Sequence, residues 1–405
     1  GESEDSYGGD PLKAAVQGLL QGNGAGPASW FAVCSIMIDC MKAEGFGYSD
    51  WSAISNHAMR LVCFAFVDDT DLIHSTTDPT LSSTQLIAEA QEALLTWEGL
   101  LSATGGALKP PKSYWYLLEY ACVRGVWKPK RIQDAPGELT LHNKGDPVTI
   151  QRLEVTEARE ALGIMSRPDG CMDDQVEAMK SKVSKWIDGL RTNRFNSTNA
   201  WYCLNSTIMK TLEYPLMATT ISSEDAHSIM WPLLKEALPK CRVQKRFPRK
   251  LMFGTNRSQG IDIKSIMVTQ TVQYVQAILR HSHRSSPSHD LHLHNMEAIQ
   301  CHLGSEIPFW ELPFELYGGL APDGWMKFTW QQLSHTSLTL KGPLSTVLPK
   351  RRHDVFLMDA LVHSDWPLPS RRQINEIRLH LGVTLLSELC NAAGTHIDPW
   401  IWKGK

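Results

Sequence analysis

A chain of 405 residues with 42% hydrophobic and 20% charged residues, 28 glycines and 22 prolines has ordinary globular composition, which excludes collagen, coiled coil and disorder as descriptions of the whole. The best apolar run, Phe31 to Met41, is short and interrupted by Asp39, so no membrane partner is expected. The nine cysteines form no Cys-x-x-Cys pair, which argues against a disulfide framework and for a reducing, intracellular setting rather than a secreted one.

The formal net charge of −3 conceals an asymmetry: residues 1–170 carry 13 Lys/Arg against 22 Asp/Glu, and residues 171–290 carry 17 against 10. The densest basic run holds Lys240, Arg242, Lys245, Arg246, Arg249 and Lys250. An acidic front and a basic middle suit a protein that binds metal ions in one place and phosphates in another. A solvated helix face is the ordinary alternative for the basic run.

Along the chain, Gly1 to Asp10 is acidic and rich in Gly and Ser, and reads as loop. Gln21 to Gly26 forms a glycine-rich turn, and Pro27 is placed to open a helix that runs to about Glu44 and stops at Gly45. Leu61 to Val67 and Thr70 to His74 read as two strands around the acidic turn Asp68-Asp69. Leu86, Ala90, Leu94, Trp97 and Leu101 recur at helical spacing, ending at Gly105-Gly106. Ser113 to Tyr120 is aromatic and strand-like. The order helix, hairpin, helix, strand predicts an α+β fold with an antiparallel sheet backed by helices. Residues 175–216 and 260–283 read as helical, His281 to His302 as a polar linker, and the tryptophan-rich remainder as a core of its own without a legible motif.

Three segments carry chemistry. Phe66-Val67-Asp68-Asp69 places adjacent carboxylates at the tip of a hairpin whose flanking strands look too apolar to be solvated. Carboxylates ending a buried strand are costly unless a hard divalent cation neutralises them. Asp-Asp is also common in plain turns. Gln21-Gly22-Asn23-Gly24-Ala25-Gly26-Pro27 opens a helix whose N-terminus attracts phosphate, but it lacks the Lys-Ser/Thr of a Walker loop. Gly105 to Ser113 holds Lys112 after two prolines, where it could serve a pyrophosphate or sit exposed in a turn. Six histidines and Cys301 between His281 and His302 lack the paired spacings of a zinc site.

Taken in order, these segments resemble the palm of a reverse transcriptase, an RNA-directed DNA polymerase of a non-LTR-like retroelement. In that family a Gln-Gly-x-x-x-(Ser/Gly)-Pro segment precedes a helix, then comes an aromatic-x-Asp-Asp hairpin, then a Gly-rich turn with a lysine. Gln21, Gly22, Gly26 and Pro27 match the first, Phe66, Asp68 and Asp69 the second, and Gly106 and Lys112 the third. Ala161-Leu162-Gly163-Ile164 looks like the family's Leu-Gly turn that helps hold the primer end. The resemblance implies a right-hand polymerase palm over residues 1–165, a helical basic thumb over 166–290, and a C-terminal region of unassigned role over 291–405. It implies Asp68 as a ligand of Mg2+ (or Mn2+) with Asp69 its less critical neighbour, and Lys112 serving the leaving pyrophosphate. Gln21, Gly22 and Phe66 would contact template or nucleotide. The partners implied are an RNA template with a DNA primer and deoxynucleotides, held by the basic run through phosphates.

The family's metal site also needs an aspartate on an apolar strand upstream of the Gln-Gly segment. Asp5 and Asp10 lie in Gly/Ser-rich sequence without strand character. The expectation is therefore a polymerase fragment, inactive alone because two carboxylates from one turn do not hold two metals. The alternative is a non-catalytic nucleic-acid-binding remnant of a retroelement.

Overall fold

Pro27 enters the first turn of helix α1 (Gly26–Ala43), where its missing N–H costs no hydrogen bond, and the helix closes at Glu44 with Gly45 at φ +93°. The computed structural model describes residues 25–76, 78, 80–123, 126–143, 145–282, 285–341 and 347–402. The chain divides into two compact units, the first comprising Gly1–Asp50 and Arg60–Glu157, the second Trp51–Met59 and Ala158–Lys405.

Four short strands follow α1 in the chain: β1 (Tyr48–Trp51), β2 (Ala58–Leu61), β3 (Cys63–Phe66) and β4 (Asp69–Leu72), of which β3 and β4 lie wholly in the first unit. Helix α2 (Ser83–Ala103) begins at a capping box, in which the Ser82 hydroxyl accepts from the Gln85 N–H and the Gln85 side chain accepts from the Ser82 N–H. Cys34, Met37 and Met41 of α1 bury one stripe against Ala93 and Trp97 of α2, with Val62, Cys63 and Leu72 completing the cluster. Both helices thus back one face of the β3–β4 hairpin, as the element order predicts.

The next strands are β5 (Tyr114–Trp115), β6 (Tyr120–Val123), β7 (Val126–Pro129), β8 (Thr140–Asn143), β9 (Asp146–Thr149) and β10 (Gln151–Arg152). A second face of α2, with Ile87, Ala90 and Leu94, packs on Leu139, Leu141 and Ile150. The Gln91 amide brackets Thr140, accepting from its N–H at 2.7 Å and donating to its carbonyl at 2.9 Å.

The fold is α+β, but the single antiparallel sheet expected from the sequence is not what forms among the described residues. The strands make two-stranded sheets instead, β3–β4, β6–β7 and β8–β9 antiparallel and β10–β5 parallel. Strands of two to four residues interrupted by turns pair with the next strand in the chain, β5 and β10 excepted, and the apolar closure comes from helices. Of Ser113 to Tyr120 only Tyr114–Trp115 and Tyr120 enter strands; Trp115 and Leu117 pack sideways on the α2 cluster.

The second unit starts with a hairpin of β11 (Arg159–Ala161) and β12 (Ile164–Ser166), followed by α3 (Asp173–Thr192). Val176, Met179, Val183 and Ile187 of α3 are buried at the spacing read from the sequence. They pack with α4 (Ser197–Cys203), a π-helical turn at Leu204–Ile208, α5 (Met209–Glu213) and α6 (Ser223–Lys240) in one core. Then come α7 (Arg249–Phe253) and α8 (Ile266–Ser282). Gln270 of α8 is fully buried and brackets Ile221, accepting from its N–H at 3.0 Å and donating to its carbonyl at 3.2 Å. The Tyr274 hydroxyl donates to the Thr219 carbonyl, and burial pushes this phenol up to about 12.

Residues 287–303, expected to be linker, form helix α9 (Pro287–Leu303). Ser286 caps it, Pro287 occupies its first turn, and Met296, Ile299 and Leu303 are buried. Its polar composition hid it because much of its buried face is itself polar: His294, Glu297 and Gln300 are all buried. The His/Glu side of α9 holds the segment 51–59. The Glu297 carboxylate accepts from the N–H groups of Ile54 (2.7 Å) and Ser55 (2.9 Å), His294 Nε2 meets the His57 carbonyl at 3.0 Å, and His57 Nε2 meets Asp290 at 3.0 Å. Phe309, Trp310, Trp330 and Met358 form a further core with α9. The closing helices are α10 (Phe314–Tyr317), α11 (Trp325–His335), α12 (Leu357–Val362), α13 (Leu368–Leu381) and α14 (Pro399–Trp402). The tryptophan-rich end packs in a core that it shares with α8 and α9 through Ile278, Met296, Ile299 and Leu303.

Burial alone would raise the Glu297 carboxyl, but the N–H groups of Ser55 and Ile54 and the hydroxyls of Ser55 and Ser52 outweigh it and hold the group below the usual range. A carboxyl lowered by folding stabilises the fold above its unfolded pKa and loses that contribution as pH falls through its folded pKa. Glu297→Ala is expected to cost about 2–4 kcal/mol, because two N–H groups lose their acceptor, and Glu297→Gln less. Urea unfolding at neutral pH and near pH 3 checks this; the gap between wild type and Glu297→Ala should shrink in acid.

Candidate functional site

The acidic turn is built by strand pairing of strict register. Cys63 faces Leu72, Ala65 faces Thr70, Phe64 faces Asp71 and Phe66 faces Asp69, leaving Val67 and Asp68 as a two-residue turn. Asp69, read from sequence as a turn residue, is therefore the first residue of β4. Val67 has φ +56° and Asp68 is not in the left-handed region, the pattern of a type II′ turn. That position favours glycine, so a β-branched valine there is strained.

Alternation sorts the side chains. Cys63 and Leu72 turn inward to the α1–α2 cluster, while Phe64, Phe66, Asp69 and Asp71 share the outer face. Phe64 is 51%, Phe66 60% and Val67 58% exposed, and Asp68 and Asp69 are exposed as well. This corrects the expectation that the strands flanking the carboxylates are too apolar to be solvated. The carboxylates stand in water and need no cation to be tolerated. Asp71 differs: partial desolvation, then the neighbouring Asp69 charge, raise its carboxyl above the usual value although the residue as a whole is exposed.

Gln21 and Gly22 lie outside the described residues. Lys112 ends a short 3-10 turn, Pro110–Lys112, and is exposed there. The Leu162-Gly163 turn joins β11 to β12 with both residues left-handed, φ +50° and +79°, as in a type I′ hairpin. Leu162 pays strain for that conformation, and its carbonyl accepts the Tyr214 hydroxyl at 2.7 Å. The basic run follows the end of α6. Arg242, Lys245, Arg246, Arg249 and Lys250 are exposed and Lys240 is half-buried, its ammonium donating to the Asn193 carbonyl at 3.4 Å.

Among the described residues no group of three His, Cys, Asp or Glu side chains could hold a metal ion. Hard carboxylate oxygens suit magnesium, yet Asp68 and Asp69 alone do not form the two-metal arrangement that nucleotidyl transfer uses. The histidines do gather in part: the His281 and His292 rings lie 5.3 Å apart, and His289 Nδ1 approaches the His281 carbonyl at 2.9 Å. Burial and these two neighbours lower the His292 imidazole. The clasp of Asp290, His294 and Glu297 on residues 54–57 was not read from the sequence. Its one signal is the spacing of four, three and four from Asp290 through His294 and Glu297 to Cys301, a helical stripe.

Compared with protein-family models, curated proteins and solved structures, the chain matches none.

Val67→Gly is expected to raise stability by about 0.5–1 kcal/mol, since an exposed side chain is lost and a left-handed strain relieved; equilibrium unfolding measures it, and destabilisation would mean the valine packs more than it strains. Asp69→Asn is expected to bring the Asp71 carboxyl back toward its ordinary range, followed by carboxyl NMR across a pH titration.

Proposed function

We propose that the chain carries the hairpin-bearing palm segment and basic helical region of a retroelement RNA-directed DNA polymerase. The observation that carries this reading is the hairpin itself: a strained turn presents Asp68, with Asp69 opening the next strand, on a hairpin whose inner face packs on two helices and whose outer face is exposed. The ordered neighbours support it. A proline-opened helix precedes the hairpin, a capped helix and the lysine turn follow, and the Leu162-Gly163 hairpin comes next.

In the complete reaction a primer 3′-hydroxyl attacks the α-phosphate of a deoxynucleotide, a new P–O bond forms, and pyrophosphate departs. Magnesium, when bound, lowers the charge on the attacking and leaving oxygens. Asp68 is the ligand this chain offers, with Asp69 beside it and Lys112 available to the pyrophosphate. No three carboxylates among the described residues are placed to hold a metal ion together, so no step of that chemistry is assigned to them alone.

The same observation favours a second reading, a non-catalytic nucleic-acid-binding protein that kept the fold. Solvated carboxylates that do not form a metal-holding group cost the fold little, and the exposed cations after α6 do not depend on them.

Primer extension on a primed RNA, with Mg2+ or Mn2+, tests the proposal. The 405-residue chain is expected to bind primed template in a salt-sensitive way, with the affinity of Asp68→Ala within about threefold of wild type, because phosphate contacts dominate affinity. Asp68-dependent extension is expected to be absent or weak. Strong extension abolished by Asp68→Ala would mean the chain holds a complete site, and failure to bind primed template would overturn both readings.

A further inference from the structure

The basic run after α6 is a built surface. Val243 and Phe247 pack on the core of α3 and α6, and Met252 is buried in it, while Arg242, Lys245, Arg246, Arg249 and Lys250 point to solvent. The backbone is held by its own bonds: the Val243 N–H donates to Leu238 at 2.9 Å, Phe247 to Gln244 at 3.0 Å and Met252 to Pro248 at 2.9 Å. Apolar anchors and outward cations thus alternate along a pinned segment. None of the five exposed cations lies within 4.0 Å of a described carboxylate. Glu236, the nearby acid of α6, is engaged by Arg191 at 3.2 Å.

Arg249 is held in a further way. Its guanidinium carbon lies 4.5 Å from the ring centroid of Trp231, one turn along α6 from His227, whose imidazole is 6.1 Å from the same indole and within 11° of parallel. A guanidinium lying over an indole gains cation–π attraction without spending its N–H donors, which remain free for a phosphate. Lysines reach a phosphate from many rotamers, whereas a stacked arginine offers its fork already placed, so less entropy is lost on contact. A row of exposed cations beside the exposed imidazole of His227 fits a chain of phosphates bearing flat bases better than an acidic peptide, which brings charge without rings to stack.

We propose that Trp231 is a positioning residue that holds Arg249 as a fixed phosphate contact of the Arg242–Lys250 face, and that the partner of this face is the phosphate backbone of a nucleic acid. This rests on the nucleic-acid reading above and names the residues that would carry it.

The test is fluorescence anisotropy of a labelled primed RNA–DNA template with the 405-residue chain, from about 50 to about 200 mM salt. Arg249→Ala is expected to weaken binding about three- to tenfold and to flatten the plot of log affinity against log salt by about one phosphate contact. Trp231→Ala should reproduce most of both effects, Trp231→Tyr should retain the wild-type slope, and the double variant should be no worse than Arg249→Ala. Wild-type behaviour of Trp231→Ala beside a weakened Arg249→Ala, or additive losses in the double variant, would overturn the proposal and leave the nucleic-acid reading standing. Absence of salt-dependent binding by wild type would remove that reading and the proposal together. If Trp231→Ala does not fold, Trp231→Tyr and Trp231→Leu decide: a slope kept by Tyr and lost by Leu supports the positioning role, and equal slopes refute it.

Discussion

The indole of Trp97, buried between α1 and the inner face of the β3–β4 hairpin, sets the terms for the first unit. It lies in one buried cluster with Met37, Met41 and Val62, and the register of the hairpin turns Cys63 and Leu72 toward that cluster. A slip of one residue would turn Phe64, Phe66, Asp69 and Asp71 inward and expose Cys63 and Leu72. Burying two carboxylates against methionines and an indole is far costlier than leaving two phenylalanines in water. The apolar cluster therefore decides which side the carboxylates occupy, and the acidic outer face follows from the packing beneath it.

The second unit depends more on buried polar groups that bracket backbone. Gln270 saturates both backbone groups of Ile221, Glu297 gathers the N–H groups of Ile54 and Ser55, and Arg378 donates to the carbonyls of Cys301 and His302 near the end of α9. Burial is the main reason the Arg378 guanidinium is lowered to about 10. Each of these side chains satisfies main-chain groups that have no ladder partner, where an unpaired group would cost its full desolvation. Such ties fix irregular segments between helices more specifically than apolar contacts do.

The proposed function rests on exposed charge. The acidic tip and the basic face are both solvent-facing, and both stand on segments whose neighbouring residues are buried. Rigid support beneath exposed charge is the arrangement a polyanion or a metal ion meets with the least reorganisation. The strain at Val67 and Leu162 belongs to the same pattern, since both tips are held in left-handed backbone by the strands on either side.

Three of the long helices, α1, α2 and α3, were legible in the sequence because their signals are local. Pro27 and Gly45 bracket α1, the Leu86-to-Leu101 spacing marks α2, and Val176 to Ile187 marks α3. The hairpin around Asp68 was legible for the same reason, through two apolar runs and an acidic turn. Tertiary structure alone decided the rest. Whether Phe64 and Phe66 are buried depends on which face meets α1 and α2, and apolar strands look alike on both sides. Helix α9 escaped notice because His294, Glu297 and Gln300 become core residues only when residues 54–57 and the 305–309 segment supply their hydrogen-bond partners. The sequence determined where charge and helix ends fall, since those rest on neighbours a few residues away. Solvation, and with it the meaning of each charge, was decided by contacts between residues as far apart as Ile54 and Glu297, which no local pattern records.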